Sequence, residues 1–264
     1  MIDVHTHILP GLDDGAKTVD ESLLMIRQAI DAGIEVICVT PHIPDDVAPS
    51  FQEKIDRTFQ LLLSQVQRER LKIRLVLGSE IYVRQDIGSL SQFNFFSLNQ
   101  SGKYVLLELP LELIPPNLDR LLYDLLLDGV TPVIAHPERS IVEMSQLKAV
   151  EDLVRLGALT QINAGSLLGH FGRPPEKAAE YLLRRNQVHV MASDAHDSGT
   201  RSIAVLRQAL PEVCRLVGKT KAEELVTLNP SRILSGEDLV TDQCGAAADK
   251  RSTEVRVAEG EACD

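Results

Sequence analysis

Short runs that contain histidine, three of them together with acidic residues, recur along this 264-residue chain. Four runs hold five of its seven histidines: residues 3–7 (Asp-Val-His-Thr-His), 40–42 (Thr-Pro-His), 136–139 (His-Pro-Glu-Arg) and 193–197 (Ser-Asp-Ala-His-Asp). Imidazole and carboxylate groups are the ligands with which proteins hold hydrolytic metal ions. The pattern therefore predicts a site for several metal ions, and it favours a metal-dependent phosphoesterase.

The polar residues of these runs stand directly after apolar, strand-like segments. His5 and His7 are two residues apart, so in a strand they project from the same face. The same placement after an apolar segment is seen for His42, Glu80, Glu108, His136, Asp194 and His196. In parallel β/α proteins the carboxyl ends of the strands point to one side, where active sites form. We therefore expect these residues, although distant in sequence, to converge at one mouth of the fold.

Each of these signals is weak when taken alone. A single histidine near a strand end is more often a hydrogen-bonded structural residue, and a single glutamate there is usually solvated. Together the residues leave little room for that interpretation, because burying so many polar groups without a charge partner would cost several kcal/mol.

Strand-like and helical segments alternate along the chain. Gly33, Gly129 and Gly157 each end a helical segment and open a nearly continuous apolar one. Strands that are apolar on both faces are typical of a parallel sheet covered by helices. About seven such units predict a single α/β domain over residues 1–236, folded as a closed or nearly closed TIM-like (β/α)7 barrel. An open doubly wound sheet is the alternative, but no Gly-rich dinucleotide or phosphate loop supports it.

The composition argues against several classes of protein. A net charge of −11 argues against a nucleic-acid binder with a broad basic face, and no apolar run reaches the roughly 18 residues of a membrane span. Candidate site residues begin at position 3, so no signal peptide is expected. The four scattered cysteines predict free thiols in a reducing cytosol and a cytoplasmic protein. Residues 237–264 lack apolar periodicity and are predicted to form a flexible C-terminal tail.

Two arginines lie close to the histidine runs. Arg139 is three residues after His136, and Arg201 is five residues after His196. A lone loop arginine usually forms a surface salt bridge, but a guanidinium beside a metal site can also fork onto phosphate oxygens and stabilise charge in the transition state. We therefore expect both arginines to be catalytic.

In its motifs the chain resembles the bacterial CpsB/YwqE-type protein-tyrosine phosphatases of the PHP (polymerase and histidinol phosphatase) superfamily. The resemblance extends from residue 1 to about residue 236. The motifs that carry it, in order, are MIDVHTHILPGLDDGAKT (1–18), TPH (40–42), GSEI (78–81), LLELP (106–110), AHPER (135–139), QINAGSLLG (161–169) and SDAH (193–196).

The resemblance implies a distorted seven-unit β/α barrel (PHP fold) with three divalent metal ions, usually Mn²⁺. The metal ligands that it implies are His5, His7, Asp14, His42, Glu80, Glu108, His136, Asp194 and His196, and it gives Arg139 and Arg201 a phosphate-stabilising role. Asp14 enters this set only through the resemblance, because the residues alone do not distinguish Asp13 from Asp14. Asn163 stands in a matching motif, and we expect it to be structural.

The implied ligand set has a charge that suits phosphate. Its histidines bind metal in the neutral form, so its four carboxylates give it a charge of −4. Two divalent ions would neutralise the site, and three would leave it positive enough for a phosphate dianion. The mixture of oxygen and nitrogen ligands fits Mn²⁺, Fe or Zn²⁺. The metals would lower the pKa of a bound water, so that hydroxide attacks phosphorus, and would stabilise the leaving oxygen.

The resemblance also implies a substrate and a partner: phosphotyrosine on the C-terminal tail of a bacterial tyrosine autokinase that regulates capsule or exopolysaccharide synthesis. One segment departs from the family pattern. Residues 43–49 read Ile-Pro-Asp-Asp-Val-Ala-Pro, where family members often carry a further histidine or a basic residue. An acidic loop at the entrance would repel an acidic phosphopeptide, so the choice of partner stays open. The sequence also leaves open whether the chain forms a homo-oligomer.

Other phosphatase chemistries fit the sequence less well. A cysteine-dependent phosphatase needs Cys-x5-Arg, and no cysteine here has an arginine six residues on. An aspartyl-phosphate enzyme needs Asp-x-Asp at a strand end, and no apolar segment ends that way. Three alternatives remain: a small-molecule phosphatase of the histidinol-phosphatase type, a PHP exonuclease, and a metal-binding regulatory docking protein without turnover.

Overall fold

The computed structural model describes residues 1–44, 47–84, 87–111, 113–115 and 117–239. In these residues, parallel strands alternate with helices, as predicted. The strands are β1 (Ile2–Thr6), β2 (Val36–Val39), β3 (Arg74–Leu77), β4 (Glu80–Tyr82), β5 (Tyr104–Glu108), β6 (Thr131–Ala135), β7 (Leu159–Asn163) and β8 (Val190–Ala192).

Helices connect the strands and cover the sheets. They are α1 (Val19–Asp31), α2 (Pro49–Arg68), α3 (Leu118–Leu127), α4 (Leu147–Leu156), α5 (Ala164–Leu167), α6 (Arg173–Arg184), α7 (Val205–Val217), α8 (Lys219–Glu223) and α9 (Asn229–Ser235). A π-helical turn, Glu224–Leu228, joins α8 to α9. No helix among the described residues is long and apolar enough to cross a membrane.

The strands form two parallel sheets. One has the order β1-β2-β3, and the other has the order β4-β5-β6-β7-β8. The chain passes from the first sheet to the second at Gly78–Ser79, where β3 ends and β4 begins. Glu80, expected after the third strand, is therefore the first residue of a short strand of its own.

The predicted closed (β/α)7 barrel is wrong in its closure, because the structure does not close a barrel. Among the described residues the two sheets meet through isolated bridges, Thr6 with Ala195 and His42 with Glu80. β4 and β8 have three residues each. Asp194 lies in the left-handed region at φ 53° just after β8. The backbone pairing with β1 at this point consists of the Asp194 amide donating to the His5 carbonyl and the His7 amide donating to the Ala195 carbonyl. The two sheets and their parallel order are nevertheless of the kind that the apolar pattern predicted.

Side chains of alternate strand residues build two apolar layers. One cluster holds Val4, Leu106, Val133 and Val190, together with Ile233 of α9. The other holds their strand neighbours, such as Leu107 and Ile134, packed with the covering helices. Both faces of the strands are thus apolar and buried, which is why these segments read as continuous apolar runs.

The run from Thr18 to Glu21 (Thr-Val-Asp-Glu) has the sequence of a capping box, which predicts a helix start there. The first helix does begin after Thr18, although the reciprocal bond differs. Thr18 Oγ1 accepts a hydrogen bond from the Glu21 amide at 3.2 Å. The Glu21 carboxylate accepts from the Lys17 amide at 2.8 Å, one residue before the position that a capping box would use. The helix start was therefore predicted correctly, and one of the two capping bonds is shifted.

The predictions of a flexible C-terminal tail and of four free cysteines both involve residues that lie partly outside the described ones. The expected tail begins at residue 237, and residues 240–264 are not described. Leu239 packs against the apolar cluster that contains Val4 and Ile233, and Asp238 pairs with Lys103 at 2.6 Å. Cys38 and Cys214 are free thiols, and the other two cysteines lie beyond Leu239.

Candidate metal centre

Residues at the carboxyl ends of the strands line one buried cluster. His5 and His7 come from β1 and its end, and both are fully buried. His136 follows β6 at φ 30° and Asp194 follows β8 at φ 53°. Non-glycine residues in the left-handed region cost of order 1–3 kcal/mol each, and such conformations concentrate at functional sites. The backbone therefore stores strain at two of the predicted ligand positions.

Glu80 stands at the centre of the cluster. Its Oε2 lies 3.0 Å from His5 Nε2 and 3.2 Å from His7 Nε2, and 3.3 Å from His42 Nδ1. Its Oε1 lies 3.0 Å from His136 Nε2. One carboxylate thus faces four imidazoles, and Glu80 is one of the residues that would hold metal ions here.

Glu108 and Asp14 extend the cluster toward solvent on either side of His42. Glu108 Oε2 is 3.7 Å from His42 Nδ1, and Asp14 Oδ1 is 3.6 Å from His42 Nε2. Asp14 Oδ1 is also 3.2 Å from His196 Nε2. The mouth of the site is therefore lined by carboxylates on both sides of a half-buried histidine.

Three histidines present the Nε2 lone pair to the centre because their Nδ1–H groups are engaged elsewhere. His5 Nδ1 donates to Gln161 Oε1 at 2.8 Å. His7 Nδ1 donates to Asp13 Oδ2 at 2.8 Å, and His196 Nδ1 donates to the Asp194 carbonyl at 3.0 Å. A second hydrogen bond that fixes the tautomer in this way is the usual companion of metal-binding histidine.

The packing of these nitrogens tests whether cations fit. His5 Nε2 and His7 Nε2 lie 3.2 Å apart, and two lone pairs at that distance repel unless a proton or a cation stands between them. Buried Glu80 Oε2 has no hydrogen-bond partner among the described residues. The donor atoms of three groups lie within 4.8 Å of one another: His5/His7/Glu80, His7/Asp14/His42/His196 and His42/Glu80/Glu108. The donor set therefore fits divalent metal ions.

All nine predicted metal ligands lie in or beside these groups. His136 and Asp194 stand just outside them, His136 next to Glu80 and Asp194 with Oδ1 3.5 Å from Nε2 of both His5 and His7. Both aspartates of the 13–14 pair are used, in different ways. Asp14 faces His42 and His196, whereas Asp13 orients His7 and accepts the His42 amide at 3.0 Å.

The two predicted catalytic arginines meet at the far oxygen of Asp194. Arg201 Nη2 lies 2.6 Å from Asp194 Oδ2, and Arg139 Nη1 lies 3.2 Å from it. Asn163 Nδ2 donates to the same oxygen at 2.7 Å. Among the described residues neither guanidinium group makes a further hydrogen bond, and Arg201 Nε is buried without a partner. Asn163, expected to be structural, thus contacts a predicted ligand directly.

An aromatic ring lies against both arginines. The Arg139 guanidinium carbon is 4.5 Å from the Phe171 ring centroid, and that of Arg201 is 5.9 Å away. These distances are within the range of cation–π contacts. The ring restricts where the two guanidinium groups can move.

The charges of the cluster shift its pKa values in opposite directions. For Glu80, burial favours the neutral form, but His5, His136 and His7 outweigh it and hold its pKa well below the usual range. For His7, burial is outweighed by Asp13 and Glu80, and the pKa rises to about 10. Burial and the nearby charge of Glu80 raise the pKa of Glu108. Acid and imidazole thus stabilise each other's charged forms where no metal ion takes that role.

Several residues of the site were missed from the sequence. Gln161 and Phe171 have no acidic or imidazole group that would mark them, and only the structure places them beside His5 and Arg139. Glu138 was visible in the His-Pro-Glu-Arg run, and it is buried, accepting from the Asn163 amide at 2.9 Å and Ser166 Oγ at 2.7 Å. Its position in that run was the available signal.

Gly15 shows why the aspartate loop follows β1 so closely. A Cβ at this position would lie 2.0 Å from the His7 carbonyl oxygen. Only glycine permits this close approach. It allows Asp13 to accept a hydrogen bond from the His7 ring and the Ala16 amide to donate to the His7 carbonyl at 2.9 Å.

Comparison with known proteins identifies relatives of this chain. The family described as "Capsular polysaccharide synthesis, CpsB/CapC" matches residues 1–235. The tyrosine-protein phosphatase YwqE of Bacillus subtilis is 36% identical over 203 residues, which are 76% of this chain and 80% of that protein. The tyrosine-protein phosphatase CpsB of Streptococcus agalactiae is 29% identical over 239 residues, which are 89% of this chain and 98% of that protein.

Solved structures show the same likeness. A chain from the crystal structures of YwqE from Bacillus subtilis and CpsB from Streptococcus pneumoniae, described as unique metal-dependent tyrosine phosphatases, aligns with a TM-score of 0.80 at 33% identity and covers 90% of this chain and 96% of its own length. The phosphotriesterase homology protein from Escherichia coli aligns with a TM-score of 0.57 at 12% identity, covering 88% of this chain and 98% of its own, a likeness of fold alone. The match over residues 1–235 and the identity to YwqE show that this chain belongs to the CpsB/CapC family.

Proposed function

We propose that this chain is a metal-dependent protein-tyrosine phosphatase that hydrolyses phosphotyrosine on a bacterial tyrosine kinase involved in capsule or exopolysaccharide synthesis. One observation carries the proposal. His5 and His7 direct two Nε2 lone pairs at the same point, beside a buried carboxylate, and two arginines stand at the edge of that cluster.

Three divalent ions, with Mn²⁺ favoured over Fe or Zn²⁺, are the proposed cofactors. Their ligands would be His5, His7, Asp14, His42, Glu80, Glu108, His136, Asp194 and His196. When bound, such ions lower the pKa of water and neutralise the charge of the phosphate oxygens. Gln161, Asp13 and the Asp194 carbonyl hold three of the imidazoles in the ligand tautomer.

Arg139 and Arg201 are proposed to bind the phosphate oxygens of the substrate. Each guanidinium group binds Asp194 Oδ2 through one Nη atom, so each has further N–H groups that can donate to phosphate. A guanidinium ion held in advance costs no reorganisation when negative charge grows on the phosphoryl oxygens. Phe171 supports this placement by lying against both groups.

The substrate is proposed to be a phosphotyrosine near the C-terminus of the kinase, and the setting is proposed to be the cytoplasm. The names of the relatives support a tyrosine phosphate. Asp45 and Asp46 of the acidic 44–49 loop lie outside the described residues, so their predicted effect on partner choice stays a prediction.

The test compares substrates before and after metal removal. The purified chain should turn over phosphotyrosyl peptide. This turnover should be lost on EDTA treatment and restored by Mn²⁺. Histidinol phosphate and single-stranded DNA should be poor substrates. Preferred turnover of histidinol phosphate would replace the proposal with a small-molecule phosphatase, and degradation of DNA would replace it with an exonuclease.

A docking protein without turnover gives a different result. It would bind Mn²⁺ at full stoichiometry and still leave every phosphorylated substrate intact. Elemental analysis of the same sample separates this outcome from an enzyme that has lost its metal.

A further inference from the structure

A cavity lies away from the candidate metal centre, on the side where the strands begin. Its volume is about 670 Å³, within the range of small-molecule binding sites. It is bordered by the segment from Arg185 to His189, which leads into β8, and by Lys221, the π-helical turn and Arg232. None of the nine metal ligands or the two catalytic arginines lines it.

A buried imidazole faces this cavity with an unused donor. His189 is 9% exposed, and its Nδ1 accepts the Thr160 backbone N–H at 3.1 Å. That bond requires a lone pair on Nδ1, so the neutral ring carries its proton on Nε2. Among the described residues Nε2 forms no hydrogen bond, and His189 is one of the residues that line the cavity. His189 therefore offers an N–H donor to whatever occupies the space.

The charged residues around the cavity are mostly basic. Arg185, Lys221 and Arg232 line it against a single acid, Glu224. Lys221 pairs with Glu224 at 3.2 Å, and Arg185 points to Glu151 at 3.6 Å. Within the part of the chain that the structure describes, Arg232 forms no ion pair. In a chain of net charge −11, this concentration of donors is suited to an anion.

The backbone that lines the cavity also departs from regular structure. Glu224 and Leu228 belong to the π-helical turn, and such turns are rare and occur frequently at functional sites. Apolar side chains, among them Val188, Leu159 and Leu228, complete the wall. The cavity thus combines an apolar wall with converging donors, which is the usual make-up of a ligand site.

We propose that this cavity is a second ligand site, which binds a carboxylate- or phosphate-bearing molecule through His189, Lys221 and Arg232. The anion is supplied either by a free small molecule or by the acidic chain that follows Leu239, a residue that also lines the cavity. Residues 240–264 include Glu254, Glu259, Glu261 and Asp264. The chemistry recognised is the same in both cases.

The test is calorimetric titration of the metal-loaded full chain with succinate. Saturable binding is expected, weakened at least tenfold by Lys221→Met and by Arg232→Met. Lys219→Met removes the same charge from the same helix outside the cavity and should change nothing. Glu224→Gln should strengthen binding, because it removes the one acid. Phosphatase turnover should stay at the unsubstituted level in all four variants, which also shows that they are folded.

A further variant of the full chain identifies the source of the anion. In it the six acids after Leu239 (Asp242, Asp249, Glu254, Glu259, Glu261 and Asp264) are replaced by their amides. Tighter succinate binding there indicates that the chain's own acids compete for the cavity, and unchanged binding indicates a free ligand. The proposal is overturned if succinate does not bind either form. Binding that survives both Lys221→Met and Arg232→Met, or that inhibits turnover competitively, would place succinate at the metal centre and would also overturn it.

Discussion

Two buried histidines at opposite ends of the strands respond to burial in opposite ways. His7, at the carboxyl end of β1, has a pKa raised to about 10, because Asp13 and Glu80 outweigh the effect of burial. His189, just before β8, has a pKa lowered to about 4 by burial and by the charge of Lys221. Burial is nearly the same for both, so the neighbouring charges decide the protonation state.

The comparison separates two kinds of polar site in one fold. At the carboxyl end, acids and imidazoles crowd together so that their charged forms stabilise each other, and divalent cations can replace the protons. At the amino end, a neutral ring stands among basic groups and offers a donor. A buried histidine in this chain is therefore a candidate metal ligand only where carboxylates surround it.

The largest expected effect comes from the residue that four imidazoles share. Glu80→Gln removes the central negative charge while keeping the shape, so metal binding and turnover should both collapse. We expect phosphotyrosyl peptide turnover to fall by about 10³-fold or more, and elemental analysis to show fewer than the native number of ions. Glu53→Gln, the same change on the exposed face of α2, should leave both quantities intact. Native metal content with native turnover in Glu80→Gln would show that Glu80 does not hold the metal ions.

The arginine pair should affect chemistry without affecting the metals. Arg139→Ala is expected to lower kcat by about 10²–10³-fold, as does the loss of a preorganised donor in other enzymes, with unchanged metal content. Arg139→Lys keeps the charge but loses the fork, so its kcat should lie between the two. Loss of metal in proportion to kcat would show instead that Arg139 acts by holding Asp194.

The amino-end histidine should be visible in stability rather than in turnover. Its folded pKa of about 4 is below the ordinary 6.5, so below pH 6.5 the unfolded chain binds more protons. His189 should therefore make its whole contribution to the unfolding free energy above pH 6.5. This contribution should decrease as the pH falls to about 4, by about 3 kcal/mol in total. Urea unfolding of the native chain and of His189→Gln at several pH values measures this. Parallel pH profiles for the two proteins would contradict it.

The smallest effect is expected for the side-chain amides of Gln161 and Asn163, which contact the proposed ligands His5 and Asp194. Gln161 accepts from His5 Nδ1 and donates to Asn163 Oδ1 at 2.9 Å, so it joins His5 to Asp194 through Asn163. Gln161→Ala should weaken metal binding by about 10–100-fold, measured by competition with a chelating dye. Gln161→Glu keeps the acceptor for His5 and should recover part of the affinity. Equal affinities in all three proteins would show that the amide chain does not position the ligands.

Much of this organisation could be predicted because it is local. Apolar segments followed by His, Asp or Glu marked β1, β2, β5, β6 and β8, and the helix after Thr18 began where its capping residue indicated. The acids and imidazoles of the centre are chemically conspicuous, so their positions could be recognised without coordinates. Gln161 and Phe171 could not, because an amide or a ring acquires a role in this site only through its neighbours in space.

The amino-end cavity and the incomplete barrel were likewise beyond local patterns. The sequence does not show that β4 is a separate three-residue strand, since Glu80 simply follows an apolar segment and two small residues. The closure of a sheet depends on hydrogen bonds between its first and last strands, which are far apart along the chain. Here those contacts are reduced to isolated bridges.

By itself the sequence determined that strands and helices alternate and that metal-binding residue types stand at the strand ends, because both follow from neighbouring residues. The tertiary structure alone decided that Glu80 faces four imidazoles, that Asp194 holds both arginines, and that His189 lines a cavity together with basic residues. Distances between residues far apart in the chain set these relations, and each depends on the packing of the two sheets.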